Sequence, residues 1–136
     1  MSEKGNTTAA QLDYAFLADF AQVAEGKITA VGASFTHVRV ASFPMNFPIS
    51  IAGRIRVGKD TQTVAMSIRI TPETKAYEIE LDGLLSTKDS RPYGSKIGVL
   101  FALTTQVFVA QSGLYQVEVM IEGVLSRTLK FDVGSR

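Results

Sequence analysis

Apolar and polar side chains alternate with a period of two over much of the chain from residue 49 onward, as in half-buried β-strands. The runs ISIAGRIRVG (49–58) and TVAMSIRIT (63–71) flank the polar segment GKDTQ (58–62), so we predict that they pair as a hairpin. Pro72 would end this hairpin, and AYEIELDG (76–83) repeats the alternation as a further strand.

The second half of the chain gives the same pattern. The polar stretch STKDSRPYGSK (86–96) predicts a long loop, and the apolar run 97–110 fits a strand buried on both faces or bent between two sheets. Residues 112–133 predict a second hairpin, turned at Glu122–Gly123. Its start, SGLYQV, is similar to the tyrosine corner of immunoglobulin-like sandwiches, although an ordinary core tyrosine at Tyr115 fits equally well.

The first forty residues leave the type of element open. We expect a flexible tail over 1–11, and residues 12–23 fit either a helix or a strand, because apolar side chains recur at both spacings. KITAVGASF (27–35) predicts a strand by its branched residues, and HVRV (37–40) either extends that strand or begins another.

The stretch DYAFLADFAQVAEGKITAVGASF, followed by FPMNFPISIAGRIRV, resembles a family of small bacterial and phage-encoded β-sandwich domains of unknown function. The matching positions are Asp19, Gly26–Lys27, Gly32 and Phe43–Pro44, within about a third of the chain. The resemblance implies a strand rather than a helix at 12–20. It implies no activity, since none is established for that family.

Composition supports one domain, which we place at 12–136. A chain of 136 residues with 46% hydrophobic side chains can bury a core of its own, and it contains no cysteine for disulfides, thiolate metal sites or a cysteine nucleophile. We therefore predict an all-β, mostly antiparallel β-sandwich of immunoglobulin-like or jelly-roll type with about 7–9 strands. A mean hydropathy of +0.14 suggests that some apolar surface is covered by another subunit or a partner.

Charge and segment patterns narrow the expected partners. The net charge of +1 does not indicate a nucleic-acid-binding protein, because a duplex-binding module usually carries a strongly basic face. The polar start MSEKGNTTAAQ lacks the apolar region of a signal peptide, and the run 97–110 is too short to cross a bilayer. We expect no membrane contact, and a location in the cytoplasm, or in the virion if the chain is phage-encoded.

Two aspartates, Asp13 and Asp19, interrupt the apolar run DYAFLADF and raise the question of a catalytic pair. On a strand the two lie six residues apart, about 20 Å at roughly 3.3 Å per residue. Paired carboxylates of glycosidases lie only about 5 to 9.5 Å apart. We expect one aspartate to cap or leave its element, and the other to face solvent or accept a backbone hydrogen bond.

Other chemistry is sparse. His37 is the single histidine, and no orienting partner or nucleophile lies near it in the sequence, so we expect a surface position. The sequence contains no zinc-protease, serine-hydrolase, phosphate-loop or calcium-loop pattern. We assign no catalytic, cofactor-binding or metal-binding residue, and we expect no cofactor.

Three arginines, Arg54, Arg56 and Arg69, would share the outward face of the predicted hairpin beside Glu78 and Glu80. An anion-binding stripe is one interpretation. A salt-bridged solvent face is the interpretation we favour, because cross-strand charge pairs are common and no strong net field supports a stripe.

Two segments are candidates for contact with other proteins. FPMNFP (43–48) places Phe43, Met45 and Phe47 beside two prolines, which should keep the segment out of a central strand. These three side chains either plug the end of the sandwich or form an interface. The 86–96 loop contains Arg91 and Tyr93, residue types enriched at interfaces.

We therefore predict a non-enzymatic structural or interaction module that binds a protein partner or associates with itself as a homo-oligomer. It would serve as an accessory or decoration component of a phage particle or another assembly. The alternatives are a small-ligand binder with a cavity between its sheets and, less favoured, a hydrolase-like enzyme.

Overall fold

The computed structural model describes residues 10–136, which form strands and contain no helix. This confirms the all-β class, with more strands than the 7–9 predicted. In chain order the eleven strands are β1 (Gln11–Ala18), β2 (Phe20–Ala24), β3 (Lys27–Val31), β4 (His37–Val40), β5 (Met45–Gly58), β6 (Thr63–Pro72), β7 (Ile79–Ser86), β8 (Pro92–Tyr93), β9 (Lys96–Val109), β10 (Gly113–Ile121) and β11 (Val124–Ser135).

Two sheets and a separate hairpin make up the molecule. The first sheet has the strand order β1-β5-β9-β8, and the second has the order β4-β11-β10-β6-β7. Strand pairs are antiparallel except β11 and β4, which run parallel. The predicted tail 1–11 reaches too far, because β1 already begins at Gln11; residues 1–9 of that segment lie outside the described residues.

One core fills the space between the two sheets. Along each strand every second side chain points into this space, as the two-residue alternation requires. Ile49, Ile51 and Ile55 of β5 and Ile68 and Ile70 of β6 are completely buried there. At roughly 1.5 to 3 kcal/mol for each large aliphatic side chain removed from water, this layer supplies the main stabilisation of the fold.

The predicted hairpin over 49–71 is wrong. β5 pairs with β1 and β9, whereas β6 pairs with β10 and β7, so the turn 59–62 carries the chain from one sheet to the other. Val57 and Val64, on either side of this turn, are both buried in the core. Alternation alone does not separate the two cases, because a hairpin and a connection between sheets have the same apolar period.

The second predicted hairpin is confirmed. β10 pairs with β11, and the two-residue turn Glu122–Gly123 has positive φ at both positions, the type I′ geometry that suits a twisted hairpin. Tyr115 is a buried core residue stacked on Phe131, with ring centroids 5.5 Å apart. The ordinary core tyrosine is therefore the better of the two interpretations.

The segment 12–23, which the alternation left open, forms strands. β1 ends at Ala18, and the chain turns at Asp19, whose backbone N–H donates to the Val31 carbonyl at 3.0 Å. β2 and β3 then pair as a hairpin with a type I′ turn at Glu25–Gly26. The resemblance correctly implied a strand here.

The β2–β3 hairpin forms a third layer on the outer face of the first sheet. Small outward side chains allow this close approach: Ala18 and Ala52 are completely buried, and Ala21 of the hairpin packs against them. The Ser50 hydroxyl accepts a hydrogen bond from the Ala21 N–H at 3.2 Å and contacts the Thr104 hydroxyl at 2.8 Å.

β9 lies within one sheet and is covered on both faces only in part. Its inward side chains, such as Phe101, are buried in the core, and Ala102 is half-buried beneath the hairpin. Farther along, Thr104 and Gln106 are exposed on the outer face. The predicted 86–96 loop is interrupted only by the two-residue strand β8.

No helix within residues 10–136 has the length and apolar character needed to span a membrane.

Candidate functional site

A groove of about 770 Å³ opens on the outer face of the first sheet, where the β2–β3 hairpin ends and leaves the sheet uncovered. Its floor is formed by Arg54 of β5 and by Gly98 and Leu100 of β9. The hairpin turn Glu25–Gly26 forms one wall, and the segment 89–93 contributes to the other. We call this feature the outer groove.

The arginine on the floor is held in position from two sides. The Arg54 Nε donates a hydrogen bond to Asp13 Oδ2 at 2.8 Å, and the guanidinium lies 5.2 Å from the centre of the Tyr14 ring. The first of these contacts raises the pKa of the Arg54 guanidinium above its ordinary value. Arg56 adds a second contact to Asp13 at 3.7 Å. A guanidinium fixed in this way is preorganised to meet a partner.

Gly98 has no side chain above β9 and therefore deepens the floor of the outer groove. A Cβ built on Gly98 would lie 3.1 Å from Arg54 Cδ, which is a tight contact, and 3.6 Å from Tyr93 Cε1, which is an ordinary one. Gly98 thereby leaves room for the Arg54 side chain over β9, next to the Tyr93 ring. Glycine inside a strand often marks such a close approach.

Of the sequence-predicted contact residues, Arg91 and Tyr93 both line the outer groove. Tyr93 is 50% exposed, and its strand β8 pairs with the start of β9. The loop that leads to them is anchored at Thr87, which is buried and whose hydroxyl donates to the Thr61 carbonyl at 2.6 Å. The groove therefore presents an aromatic ring, two arginines and the acidic residues Glu25 and Asp89.

The other three predicted contact residues lie elsewhere. Phe43, Met45 and Phe47 are half-buried and pack against the main core, which agrees with the end-plug alternative. The expectation that prolines exclude this segment from a central strand is wrong, since Met45 and Pro48 belong to β5. At these positions β5 pairs only with β9, because its pairing with β1 extends no nearer than Ser50, so Pro48 is tolerated as in an edge strand.

The two aspartates do not form a pair. Asp13 binds the arginines of β5, while Asp19 is exposed at the corner between β1 and β2, beside Gly32. A Cβ on Gly32 would overlap the Asp19 carboxylate, and the positive φ of Gly32 (63°) favours glycine at this corner.

The single histidine lies on the surface. His37 Nδ1 is 3.0 Å from the Thr36 hydroxyl, and no carboxylate within residues 10–136 approaches it closely enough to form an ion pair. Asp19 lines the same shallow depression as His37. In the described part of the chain, no three His, Asp or Glu side chains converge as metal ligands.

The predicted arginine face is divided between the two sheets. Arg54 and Arg56 lie on the first sheet, whereas Arg69 lies on the second, because β5 and β6 do not pair. Arg69 forms ion pairs with Glu78 at 3.3 Å and Glu118 at 3.2 Å, although its Nε makes no hydrogen bond there. On this sheet the salt-bridged solvent face is the observed arrangement.

A second depression, of about 610 Å³, lies at the opposite end of the sandwich between the segments 72–77 and 110–115. We call it the end cavity. The Tyr77 hydroxyl donates to the Phe108 carbonyl, and the two rings meet edge to face with centroids 6.0 Å apart. Burial and a hydrogen bond with Tyr115 raise the pKa of the Tyr77 hydroxyl above its ordinary value.

Sequence reasoning missed the roles of Arg54, Tyr14 and Gly98 in the outer groove. The pairing of Asp13 with Arg54 depends on the register between β1 and β5, which alternation does not specify. The one signal in the sequence was Gly98 itself, a glycine inside a long apolar strand.

Comparison with known proteins gives a family and a fold. A model of a family of unknown function (DUF6941) matches residues 13–134. No curated protein matches the chain in sequence.

Among solved structures, the chain is similar to part of the Pseudomonas fluorescens alkylpurine DNA glycosylase AlkC, bound to DNA containing an abasic site analog. The TM-score is 0.52 at 8% identity, over 93% of this chain and 31% of that one. A β-glucosidase from Listeria innocua, in complex with glucose, gives a TM-score of 0.40 at 11% identity, over 74% of this chain and 15% of that one. The chain thus spans less than a third of either protein, and the first likeness concerns the fold alone.

Proposed function

Since the chain belongs to this family of unknown function, we propose its role from its own surface: a non-enzymatic interaction module that binds a protein partner in the outer groove. The observation that carries this proposal is the convergence of Arg54 and Tyr93 over Gly98, beside Arg91. Arginine and tyrosine are the residue types that contribute most often to binding hot spots.

The chemistry of the groove favours a polypeptide as the partner. Its arginines lie between walls that contain Glu25 and Asp89, so both signs of charge line one surface. A nucleic acid would meet these acidic residues with its phosphates, whereas a protein segment carries donors, acceptors and charges of both signs. The exposed Tyr93 ring offers the partner an apolar face and a hydrogen-bonding hydroxyl.

An enzyme is the less favoured alternative. A general base needs an orienting group and a nucleophile within hydrogen-bond reach. Among residues 10–136, the surface His37 forms a hydrogen bond only with the Thr36 hydroxyl.

The test is a quantitative comparison of two alanine variants. A protein captured from cells that make this chain is purified, and its affinity for the intact chain is measured by calorimetry. We expect Tyr93→Ala to weaken binding at least tenfold, as is typical of a hot-spot aromatic.

The matched control is Leu84→Ala, which removes a 70% exposed side chain from β7 on the second sheet. Its affinity should equal that of the intact chain. Equal affinities for all three proteins would refute the outer groove as the binding site.

A second candidate function rests on the end cavity, which is lined largely by apolar groups, including the rings of Tyr77 and Phe108. A small apolar ligand would fit this depression better than the space between the sheets, where the core isoleucines are completely buried. Titrating the protein with a set of small apolar fragments, and following the NMR chemical shifts of Ala110 and Leu114, tests this alternative. Shifts confined to other regions would exclude it.

The narrower predictions stay predictions. Neither a place in a phage particle nor a cytoplasmic location follows from the groove. The hypothesis that this module decorates a larger assembly would be supported by co-purification of the chain with particles, and an absence from such particles would count against it.

A further inference from the structure

β9 has one paired side and one open side. It pairs with β5 over all fourteen residues, Lys96 to Val109, in an uninterrupted register. On its other side, within residues 10–136, backbone pairing is limited to β8 at Ile97 and Lys96. At the far end the Tyr77 hydroxyl donates to the Phe108 carbonyl. Between these two closures lies an open edge, residues 98–107.

This open edge lacks the devices that usually prevent edge-to-edge pairing. From Ile97 to Val109 the strand has no charged residue and no proline, and its register with β5 shows no bulge. A long, flat, uncharged edge of this kind is a template for another strand.

The other outer strands of the two sheets are protected. β1 has a bulge at the position of Asp13, and β7 carries Glu80 and Asp82. β4 is only four residues long and carries His37 and Arg39. Charges, bulges and short length are the usual means by which native proteins block such pairing. Of these four strands only β9 is both long and free of charged residues along its open edge.

The direction of the free backbone groups follows from Phe108. Its carbonyl points to the open side, where Tyr77 binds it. Because successive residues of a strand direct their backbone groups to alternate sides, the other even-numbered residues of β9 present their N–H and C=O groups to this side. The backbone N–H and C=O groups of Gly98, Leu100, Ala102, Thr104 and Gln106 are therefore free to pair with another strand.

We infer that the open edge of β9 binds the same edge of a second copy, antiparallel and around a two-fold axis at Ala102. In this arrangement Leu100 lies opposite Thr104 of the second copy. The even-numbered facing pairs are the hydrogen-bonded ones, so free N–H groups meet free C=O groups. Such an interface is self-complementary, as two-fold symmetry requires. The inference goes beyond the proposed function because it concerns a second copy of this chain and the backbone groups of β9. Gly98 and Leu100 also lie in the floor of the outer groove, so the two surfaces adjoin.

Charge favours a second copy as the occupant. The open edge is neutral, and each chain has a net charge of only +1, so the approach of two copies meets little repulsion. A continuous sheet through two copies also covers apolar positions such as Leu100, consistent with the mean hydropathy of +0.14.

The first experiment measures mass by sedimentation equilibrium of the intact chain over a hundredfold range of concentration. We expect a dimer with twice the 14.7-kDa mass of one chain. The double variant Thr104→Lys with Gln106→Lys adds like charges on both sides of the axis, at positions that are exposed in one chain, and should sediment as a monomer.

The matched control places the same two charges on the second sheet, as Thr71→Lys with Gln116→Lys, at two outward residues that pair with each other. This control should remain a dimer. A monomeric intact chain, or a dimer that persists in the β9 variant, would overturn the inference.

A second measurement does not depend on charge. Because the chain has no cysteine, Ala102→Cys creates a single thiol near the proposed axis, and mild oxidation should join two copies by a disulfide. Gln116→Cys is the control and should stay monomeric on a denaturing gel. Equal cross-linking of both variants would contradict the inference. Tyr93→Ala should leave the dimer intact, so failure of the groove proposal is distinguishable from failure of this one.

Discussion

The outward faces of the two sheets differ in what covers them. On the first sheet the outward residues of β5 include Ser50 and Ala52, and the β2–β3 hairpin packs over them. On the second sheet the corresponding central strand β6 presents Ser67 and Arg69 to the surface, and charged partners bind them. The two strands have similar inward faces, so the size of the outward side chains decides whether a third layer can form.

The strongest test of this difference is the pair Ala52→Lys and Ala65→Lys, two outward alanines on the central strands of the two sheets. Ala52 is completely buried beneath the hairpin, so an ammonium group there loses its water and should cost about 3 kcal/mol or more in unfolding free energy. Ala65 is half-buried near Glu122, and the same change should stay within about 0.5 kcal/mol. Urea unfolding measures both.

Equal losses in the two alanine variants would mean that the hairpin does not cover Ala52 in solution. A hairpin that separates easily from the sheet would also expose the Ala21 amide to rapid hydrogen exchange, which gives an independent reading.

A smaller effect is expected at two serines. Ser50→Ala removes the acceptor for the Ala21 N–H and the partner of Thr104, in a completely buried position, and should cost about 1 to 2 kcal/mol. Ser67→Ala removes one exposed hydrogen bond to Asp82 and should cost less than about 0.5 kcal/mol. Thermal unfolding of the two variants checks the order. The reverse order would show that the hairpin contributes no stability through Ser50.

The smallest expected effect is the loss of an arginine ion pair, which should lower the unfolding free energy by a similar amount on either sheet. Arg54→Met removes the partner of Asp13, and Arg69→Met removes the partner of Glu118; the arginine side chains are 41% and 36% exposed. Each change should cost less than about 1 kcal/mol and should shrink further at high salt. Denaturant unfolding at low and high sodium chloride measures this. A much larger loss of unfolding free energy for Arg54→Met than for Arg69→Met would show that the ion pairs of the two faces also differ.

The sequence was informative where local rules decide the structure. The turn at Glu122–Gly123 follows from the preference of type I′ turns for glycine, and the strands around it follow from alternation. It did not show which strands belong to which sheet, because β5 and β6 have the same apolar period whether they pair in one sheet or face each other across the core. The strand content of 12–23 needed the family resemblance, since periodicity allowed a helix as well.

The candidate site was predictable only in part. Arg91 and Tyr93 were found from residue type and loop position, and both line the outer groove. The sequence predicts a solvent face for Arg54, because its contact with Asp13 depends on the register of β1 with β5. The groove itself exists because the hairpin stops short of Gly98, and the outward alanines and serine were the overlooked sign of that third layer.

The four tyrosines are divided between the two ends of the molecule, with Tyr14 and Tyr93 at the outer groove and Tyr77 and Tyr115 at the end cavity. The chain has no tryptophan, so these phenols dominate its near-ultraviolet absorption and emission over the weaker phenylalanines. Replacing Tyr77 by phenylalanine would leave a spectrum weighted toward the groove. Occupancy of that surface could then be followed optically, without any attached dye.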